Sequence, residues 1–256
     1  MSQTTIKAVL FDLGETLIRY GKVDKIRAFG RGARGSYDLL RTLGYPARPY
    51  PLYFVENAIR LRWHTLKSHW TGRDFDVLAL FQRVGARKGV SLERSQWEDL
   101  AWRWYEPLSK GVVIEPGTAE TLGTLRGMGL KLGLLSNTFI PASCLDRHLA
   151  QLGLLEFLPI RVYSYQCPFR KPDPRIFQLA AERIGEQVGH ILYVGDRLDW
   201  DIRPALRLGM PAALVPAYTN DGQTVPHGAW VVRRLSDLPS CIKGQGNFGG
   251  PPLAEE

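Results

Sequence analysis

Hydrophobic and polar positions follow two different patterns along the chain. Short, nearly continuous apolar runs such as "IKAVLFDL", residues 6–13, are typical of buried strands. Between about residues 24 and 110, apolar residues instead recur near every 3.6 positions, which predicts amphipathic helices broken by glycine and proline. The helices predicted in this middle part are residues 53–70, 74–89 and 93–108.

Strands and helices alternate in the remainder of the chain. Further strands are predicted at residues 130–137, 159–165, 190–196 and 211–216, with helices at residues 117–129, 141–153, 172–185 and 201–209. This alternation predicts an α/β fold with a doubly wound parallel sheet and helices on both of its faces. Ligands of such folds bind beyond the carboxyl ends of the strands.

The helical middle part leaves the predicted sheet after the first strand and returns before the second. We therefore predict a core formed by residues 1–19 and 113–243, with an inserted all-helical cap at residues 20–112. The insertion starts just past the first strand, so the cap is expected over the ligand-binding edge. The Gly/Pro-rich residues 244–256 are predicted to be a disordered tail.

The excess positive charge of the chain is confined to the predicted cap. The net charge is +8; residues 20–112 carry 17 Lys and Arg against 9 Asp and Glu, whereas the remainder carries 16 of each. This excess would attract an anionic ligand or form a solvated surface, and both alternatives remain open. The aromatic residues of this segment fall at helical spacing, which indicates a core and argues against nucleic-acid binding.

Cysteine usage and hydropathy predict the cellular compartment. The three cysteines are widely spaced and form no C-x-x-C pair, which suggests neither a disulfide framework nor a zinc site. The first apolar run is interrupted by Asp12, and no run approaches the roughly 20 apolar residues that span a bilayer. The expectation is a soluble cytoplasmic protein that does not bind membranes.

Several polar residues follow directly after predicted strands or precede a predicted helix. Each alone is explained as an N-cap or a turn residue. Together they would meet at one sheet edge, where neighbouring carboxylates suit Mg²⁺ and a lysine balances their charge. That is the equipment for phosphoryl transfer through an aspartyl-phosphate. The residues concerned are Asp12, Ser136, Asn137, Lys171, Asp196, Asp199 and Asp201.

Four segments resemble, in order, the four motifs of the haloacid dehalogenase-like hydrolase superfamily, in the subgroup with a helical cap inserted after the first motif. The segments are "VLFDLGETL", "LLSNT", "RKPDPRIF" and "YVGDRLDWDIRPALRLGM", and the resemblance covers nearly the whole chain. It implies a Rossmann-like core and a Mg²⁺-dependent phosphatase acting on a small, anionic phosphorylated metabolite. Haloacid dehalogenases of the same fold, which need no metal, are one alternative. A catalytically weak binding or regulatory protein is the other.

The resemblance also assigns roles to single residues. Asp12 matches the nucleophile and a metal ligand. Gly14 matches the position whose main-chain carbonyl binds Mg²⁺, and Asp196 matches a direct metal ligand. Asp201 matches the second acid of the fourth motif, which supports the metal or the lysine; Asp199 is a weaker candidate.

The remaining motif positions concern the phosphate. Ser136 matches the hydroxyl that hydrogen-bonds a phosphate oxygen, and Asn137 matches a residue that shapes the phosphate pocket. Lys171 matches the lysine that neutralises the nucleophile and the phosphoryl group.

The first motif departs from the family pattern D-x-D, whose second aspartate is a general acid and base. Gly14 stands in that position, and Glu15 follows one residue later. Adjacent side chains of an extended segment point to opposite sides, so Glu15 need not replace the missing acid. Three alternatives stay open: Glu15 swings in as a catalytic acid, the substrate has a good leaving group, or the enzyme is slow or lapsed.

The stretch "GKVDKIRAFGRGARG", residues 21–35, directly follows the first motif and holds five basic residues. We predict that it lies near the cleft and contacts a second anionic group of the substrate, and that its glycines let it move. The alternative is that its side chains point into solvent. The basic residues are Lys22, Lys25, Arg27, Arg31 and Arg34.

Overall fold

A computed structural model describes residues 5–21, 23–45 and 48–244, so nearly all of the predicted tail and Lys22 lie outside the described residues. The described chain contains a six-stranded parallel sheet with the strand order β3-β2-β1-β4-β5-β6. The predicted α/β fold with a parallel sheet is therefore confirmed. The strands are β1 (Ala8–Phe11), β2 (Lys131–Ser136), β3 (Ile160–Tyr163), β4 (Ile191–Gly195), β5 (Ala212–Leu214) and β6 (Trp230–Val231).

The central strand β1 explains why its sequence is apolar at every position. Its four residues are fully buried, because β2 and β4 flank it and helices cover both faces of the sheet. Ala8 and Leu10 pack on one face, and Val9 and Phe11 pack on the other, so the two hydrophobic clusters of the core divide along this strand. The carboxyl end of β1 is therefore held rigidly at the middle of the sheet.

Helices α1 to α4 lie between β1 and β2 in the sequence, and we call this part the helical insert. The helices of the insert are α1 (Lys25–Thr42), α2 (Tyr50–Thr71), α3 (Val77–Ala86) and α4 (Arg94–Ser109). The other α-helices within the described residues are α5 (Thr118–Gly127), α6 (Ala142–Gln151), α7 (Pro174–Ile184), α8 (Arg203–Arg207) and α9 (Leu238–Lys243). In this described part, no helix is both long enough and apolar enough to cross a bilayer.

Most of the glycine-containing stretch at residues 21–35 belongs to helix α1, which the sequence pattern did not predict. Asp24 caps this helix by accepting the backbone N–H groups of Ile26 and Arg27. A Cβ added to Gly32 would lie 2.6 Å from the carbonyl oxygen of Trp104, so this glycine permits close packing of α1 against α4. The packing outweighs the low helix propensity of glycine.

The basic side chains of α1 that the structure describes lie on its exposed side. Arg27 pairs with Asp24 at 3.2 Å and Arg34 pairs with Asp38 at 3.1 Å, so both guanidinium groups contact carboxylates of their own segment. Surface pairs of this kind contribute roughly 0–1 kcal/mol and exchange readily with other anions. The predicted contact with an anionic group of the substrate stays a prediction.

The two ends of the helical insert meet at one backbone pairing. Arg19 and Val113 exchange two hydrogen bonds, with N···O distances of 2.7 and 2.9 Å. The insert also packs against the rest of the chain, which we call the sheet domain. The Tyr105 hydroxyl lies 2.8 Å from Nδ1 of His148 on α6, and the Phe75 ring stacks on Phe139 in the segment after β2.

Candidate active site

Four charged side chains meet at the carboxyl edge of the sheet. Asp12 follows β1, Asp196 follows β4, and Asp201 lies in the π-helical turn Leu198–Ile202. Nζ of Lys171 lies 2.7 Å from Oδ1 of Asp12 and 2.6 Å from Oδ1 of Asp201. One oxygen from each of the three carboxylates lies within 4.8 Å of the others. The structure thus brings together four residues that are far apart in the sequence.

Lys171 is held from two sides. Asn137 donates from Nδ2 to the Lys171 carbonyl and accepts the Lys171 N–H at Oδ1, both at 2.9 Å. The Tyr193 hydroxyl lies 2.9 Å from Nζ and 3.1 Å from Oδ1 of Asp201. Burial raises the pKa of Tyr193 well above its ordinary value, so the hydroxyl stays protonated and can donate to Asp201. The ammonium group is therefore fixed beside Asp12.

Asp196 is oriented by hydroxyl and amide donors. Thr16 Oγ1 donates to Oδ1 at 3.3 Å, and the Thr219 hydroxyl donates to Oδ2. Asn220 donates from Nδ2 to the carbonyl oxygens of Asp196 and Val215, at 2.7 and 2.9 Å. These contacts join the loop after β5 to the tip of β4 and fix the direction of the carboxylate.

Asp201 approaches the backbone of β4 too closely for any residue except glycine. A Cβ added to Gly195 would lie 2.6 Å from Cβ and 2.7 Å from Oδ2 of Asp201. The Arg197 N–H also donates to Oδ2 at 2.9 Å. Asp201 is fully buried and its other oxygen, Oδ1, faces Lys171. Its main contact is thus with the lysine.

The electrostatics of the site follow from burying three carboxylates beside one ammonium group. Burial raises the pKa of Asp12 to about 7, although the charge of Lys171 acts in the opposite direction. Burial and the neighbouring Asp201 raise the pKa of Asp196 to about 6. Burial opposes the charged form of Lys171, but its attraction to Asp12 and Asp201 outweighs this and the pKa is raised. The excess of negative charge calls for a second cation.

The donor set fits Mg²⁺. Asp12 and Asp196 offer hard carboxylate oxygens from two neighbouring strands, and Asp201 lies within reach of both. A divalent ion at this position would neutralise the charge that raises the two pKa values. The chemistry of the donors therefore agrees with a hard divalent cation.

The three remaining predicted site residues, Ser136, Glu15 and Gly14, differ in their positions and contacts. Ser136 ends β2 and is buried. Glu15 is buried with a φ of 59°, a backbone conformation that favours glycine, and its Oε1 accepts the Tyr20 N–H at 3.1 Å. A Cβ on Gly14 would lie 3.5 Å from Cε2 of Tyr20, so the tyrosine ring borders the position of the missing aspartate.

Sequence reasoning missed several residues that support the site. Tyr193 carried a usable signal, because it is the one residue with a polar group inside the apolar strand "ILYVG". Thr16 lies inside the first motif "VLFDLGETL", directly after Glu15, and its hydroxyl was a further available signal. Thr219 and Asn220 lie in an irregular loop after β5, where no periodicity marks them.

The site combines an aspartate at the tip of a central parallel strand with a buried lysine and two further carboxylates. This combination is typical of hydrolases that use a carboxylate nucleophile. The model of the haloacid dehalogenase-like hydrolase family matches residues 6–209. The chain belongs to this family, as the motifs predicted, and the prediction of a hydrolase is confirmed.

Individual relatives agree with this assignment. The chain is similar to a glyceraldehyde 3-phosphate phosphatase of Methanopyrus kandleri, 31% identical over 210 residues, which is 80% of this chain and 82% of the relative. A phosphoglycolate phosphatase of Salmonella typhimurium is 31% identical over 124 residues, 48% of each chain.

Solved structures show the same fold at lower identity. A HAD phosphatase from Thermococcus onnurineus has a TM-score of 0.59 and 23% identity, covering 95% of this chain and 100% of that one. A 2-haloacid dehalogenase from Pseudomonas syringae also has a TM-score of 0.59, with 24% identity and coverage of 94% and 99%. These likenesses concern the fold alone.

Proposed function

We propose that the chain is a Mg²⁺-dependent phosphatase that hydrolyses a small phosphorylated metabolite through an aspartyl-phosphate on Asp12. One observation carries the proposal: a nucleophilic carboxylate lies 2.7 Å from a buried lysine and within 4.8 Å of two further carboxylates. The phosphatases among its relatives support this reaction class. The relatives differ in their named substrates, so the proposal is limited to small phosphomonoesters.

In the first half-reaction, Asp12 attacks the phosphorus atom in line. A bond forms between a carboxylate oxygen and phosphorus while the bond to the leaving alkoxide breaks. Lys171 would stabilise the negative charge of the phosphoryl oxygens, with Asn137 and Tyr193 fixing its position. Ser136 would donate a hydrogen bond to one of those oxygens. A bound Mg²⁺, held by Asp12, Asp196 and the main-chain carbonyl of Gly14, would neutralise phosphate charge.

In the second half-reaction, water attacks the aspartyl-phosphate, inorganic phosphate leaves and the Asp12 carboxylate is regenerated. The leaving alkoxide takes up a proton in the first step, and the attacking water loses one in the second. Glu15 is our candidate for the group that donates the first proton and accepts the second, because its buried carboxylate directly follows the position of the missing aspartate. Its role needs the side chain to exchange the Tyr20 N–H for a substrate contact.

We further propose that residues 20–112 act as a cap over residues 1–19 and 113–243, and that the cap selects the substrate. The segment between α2 and α3 supports this idea. Asp74, in that segment, pairs with Arg170 at 2.7 Å and accepts from the Ser164 hydroxyl. Arg170 directly precedes Lys171, so the insert contacts the loop that carries the catalytic lysine.

A haloacid dehalogenase remains the alternative hydrolase. The likeness to the Pseudomonas syringae structure concerns only the fold, whereas the carboxylates after β4 suit a metal that dehalogenation does not need. Gly14, in place of the general acid, favours a slow enzyme instead. The phosphatase is the function that the donor set supports best.

The test is hydrolysis of p-nitrophenyl phosphate and of a panel of small phosphate monoesters, with Mg²⁺ and with EDTA. We expect turnover that EDTA abolishes and Mg²⁺ restores, and at least a ~10³-fold loss in Asp12→Asn, since an amide is not a competent nucleophile. The control is Asp199→Asn, whose side chain is 77% exposed beside the site. Metal-independent release of halide from 2-haloacids, without phosphatase activity, would favour the dehalogenase.

A further inference from the structure

Helix α2 exposes a row of large apolar side chains along its whole length. We call this row the α2 stripe; it consists of Leu52, Val55, Ile59, Trp63, Leu66 and Trp70, with exposed fractions of 56, 50, 65, 56, 38 and 75%. Six adjoining large apolar side chains that are each 38–75% exposed make a patch on the order of the largest apolar patch of a typical monomer, roughly 300–600 Å². A patch of this size indicates an interaction surface.

The opposite side of α2 is already used for packing inside the insert. Phe54 contacts the ring of Phe29 at a centroid distance of 5.4 Å, and Tyr53 contacts Tyr37 at the same distance. The Tyr53 hydroxyl also lies 2.9 Å from Oγ of Ser36. These contacts anchor α2 to α1, so the α2 stripe is not a misplaced core face of this helix.

The positions of the stripe residues are symmetric about the level of Leu61 along the helix. Leu52 and Trp70 lie nine residues to either side of Leu61, and Ile59 and Trp63 lie two residues to either side. Val55 and Leu66, six and five residues away, form a third nearly symmetric pair. An antiparallel copy of α2 centred on Leu61 would therefore place each tryptophan against an aliphatic side chain.

The geometry points to a homodimer: we infer that the α2 stripe pairs with the α2 stripe of a second copy of this chain, antiparallel, about a two-fold axis that crosses the stripe at the level of Leu61 along the helix. Two-fold interfaces require a self-complementary surface, and the stripe supplies one, because reversal of the helix places the tryptophans of one half opposite aliphatic residues of the other half. A standard interface buries roughly 800 Å² per partner, and a row of six exposed apolar side chains along the 22-residue helix α2 provides the apolar centre of such a contact. The inference goes beyond the proposed function and does not depend on it.

An anionic lipid surface is the competing occupant. Arg62 and Lys67 are exposed beside the stripe, and Glu56, the acidic residue of α2, is paired with Arg60 and Lys88. Tryptophans flanked by basic residues suit a lipid interface. A lipid surface, however, requires only a one-sided apolar face, whereas the stripe has aliphatic residues in one half and both tryptophans in the other, at positions that match when the helix is reversed. This complementarity favours a second helix.

The first experiment is sedimentation velocity of the whole protein over a range of concentrations. We expect a dimer at micromolar concentration, and at least a ~100-fold higher dissociation constant for Ile59→Glu, which buries two carboxylates near the axis. Val113→Glu is the matched control, because Val113 is equally exposed, at 65%, and lies outside the stripe. A wild type that stays monomeric, or that binds vesicles of anionic phospholipid as a monomer, would overturn the inference.

The second experiment tests the direction of pairing with single cysteines and a short thiol-to-thiol crosslinker. The native cysteines are buried, so they do not interfere. Arg62→Cys lies one residue from the axis and should crosslink to its copy. Lys67→Cys lies six residues from it, so two copies would be about 18 Å apart along the helices and should not crosslink. Crosslinking of both variants would indicate a parallel pair, and crosslinking of neither a different interface; either result contradicts the inference.

Discussion

Replacing the nucleophile should make the metal-free protein more stable. Asp12 has a pKa of about 7 in the folded protein against 3.8 for an unperturbed aspartate, because burial and the neighbouring carboxylates disfavour its charge. A difference of about three pKa units, at about 1.36 kcal/mol each, corresponds to about 4 kcal/mol of lost stability when Asp12 is ionised. Asp12→Asn removes this charge and keeps a side-chain oxygen that can accept from Lys171. We expect a gain of about 2 to 4 kcal/mol at pH 8.

The sign of the pH dependence follows from the raised pKa. The folded state binds the Asp12 proton more tightly than the unfolded state, so the stability of the wild type should rise as the pH falls from about 7 towards 4. The advantage of Asp12→Asn should therefore narrow by about 2 to 3 kcal/mol between pH 8 and pH 5. Added Mg²⁺ should stabilise the wild type more than the variant, since it removes the same repulsion.

The measurement is urea unfolding in EDTA at pH 8 and pH 5, followed by circular dichroism. Asp199→Asn is the control for loss of one negative charge, and it should change the free energy of unfolding by less than about 0.5 kcal/mol. The reasoning is refuted if Asp12→Asn is less stable than the wild type at pH 8. A gain that is equal at both pH values would also refute it, since the charge of Asp12 would then not be the cause.

Two further substitutions test neighbouring parts of the site. Glu15→Gln should slow the hydrolysis of alkyl phosphates by about 10²-fold or more and barely affect p-nitrophenyl phosphate, whose leaving group needs no proton; equal small losses on both substrates would exclude Glu15 as the acid. Gly195→Ala should lower both the turnover number and the unfolding free energy, because its Cβ would lie 2.6 Å from Cβ of Asp201. Gly189→Ala is its control, since the nearest atom to a Cβ there is 3.9 Å away, and similar losses in both variants would contradict the steric reasoning.

The sequence predicted the sheet and the charged tips well, because both depend on local patterns. A run such as "AVLF" that ends in Asp12 fits a buried central strand, and parallel strands bring their ends to one edge. Helix α1 was missed because its glycines lower helix propensity, and the packing of Gly32 against Trp104 cannot be deduced from local pattern. The short strand β6 and helix α9 were likewise not predicted, since both are too short to show a period.

The hydrogen bonds that orient the charged side chains of the site were the least predictable feature of the structure. The sequence predicts that Asn137 shapes the phosphate pocket, but it does not indicate that the Asn137 amide makes two hydrogen bonds with the backbone of Lys171. The contacts of Thr219 and Asn220 with Asp196 depend on how the irregular loop after β5 folds back over β4. Loop conformations of this kind are set by tertiary contacts and leave no periodic trace in the sequence.

The pairing of Arg19 with Val113 has a consequence for how this architecture changes over evolutionary time. Because the two residues are hydrogen-bonded to each other, the helical insert enters and leaves the sheet domain through adjacent points of the backbone. A gain, loss or replacement of the chain between them need not alter the register of β1 against β2 or the carboxyl edge that holds Asp12. A helical insert of different length or sequence could therefore be joined at the same two residues without displacing the aspartates and the lysine at the sheet edge.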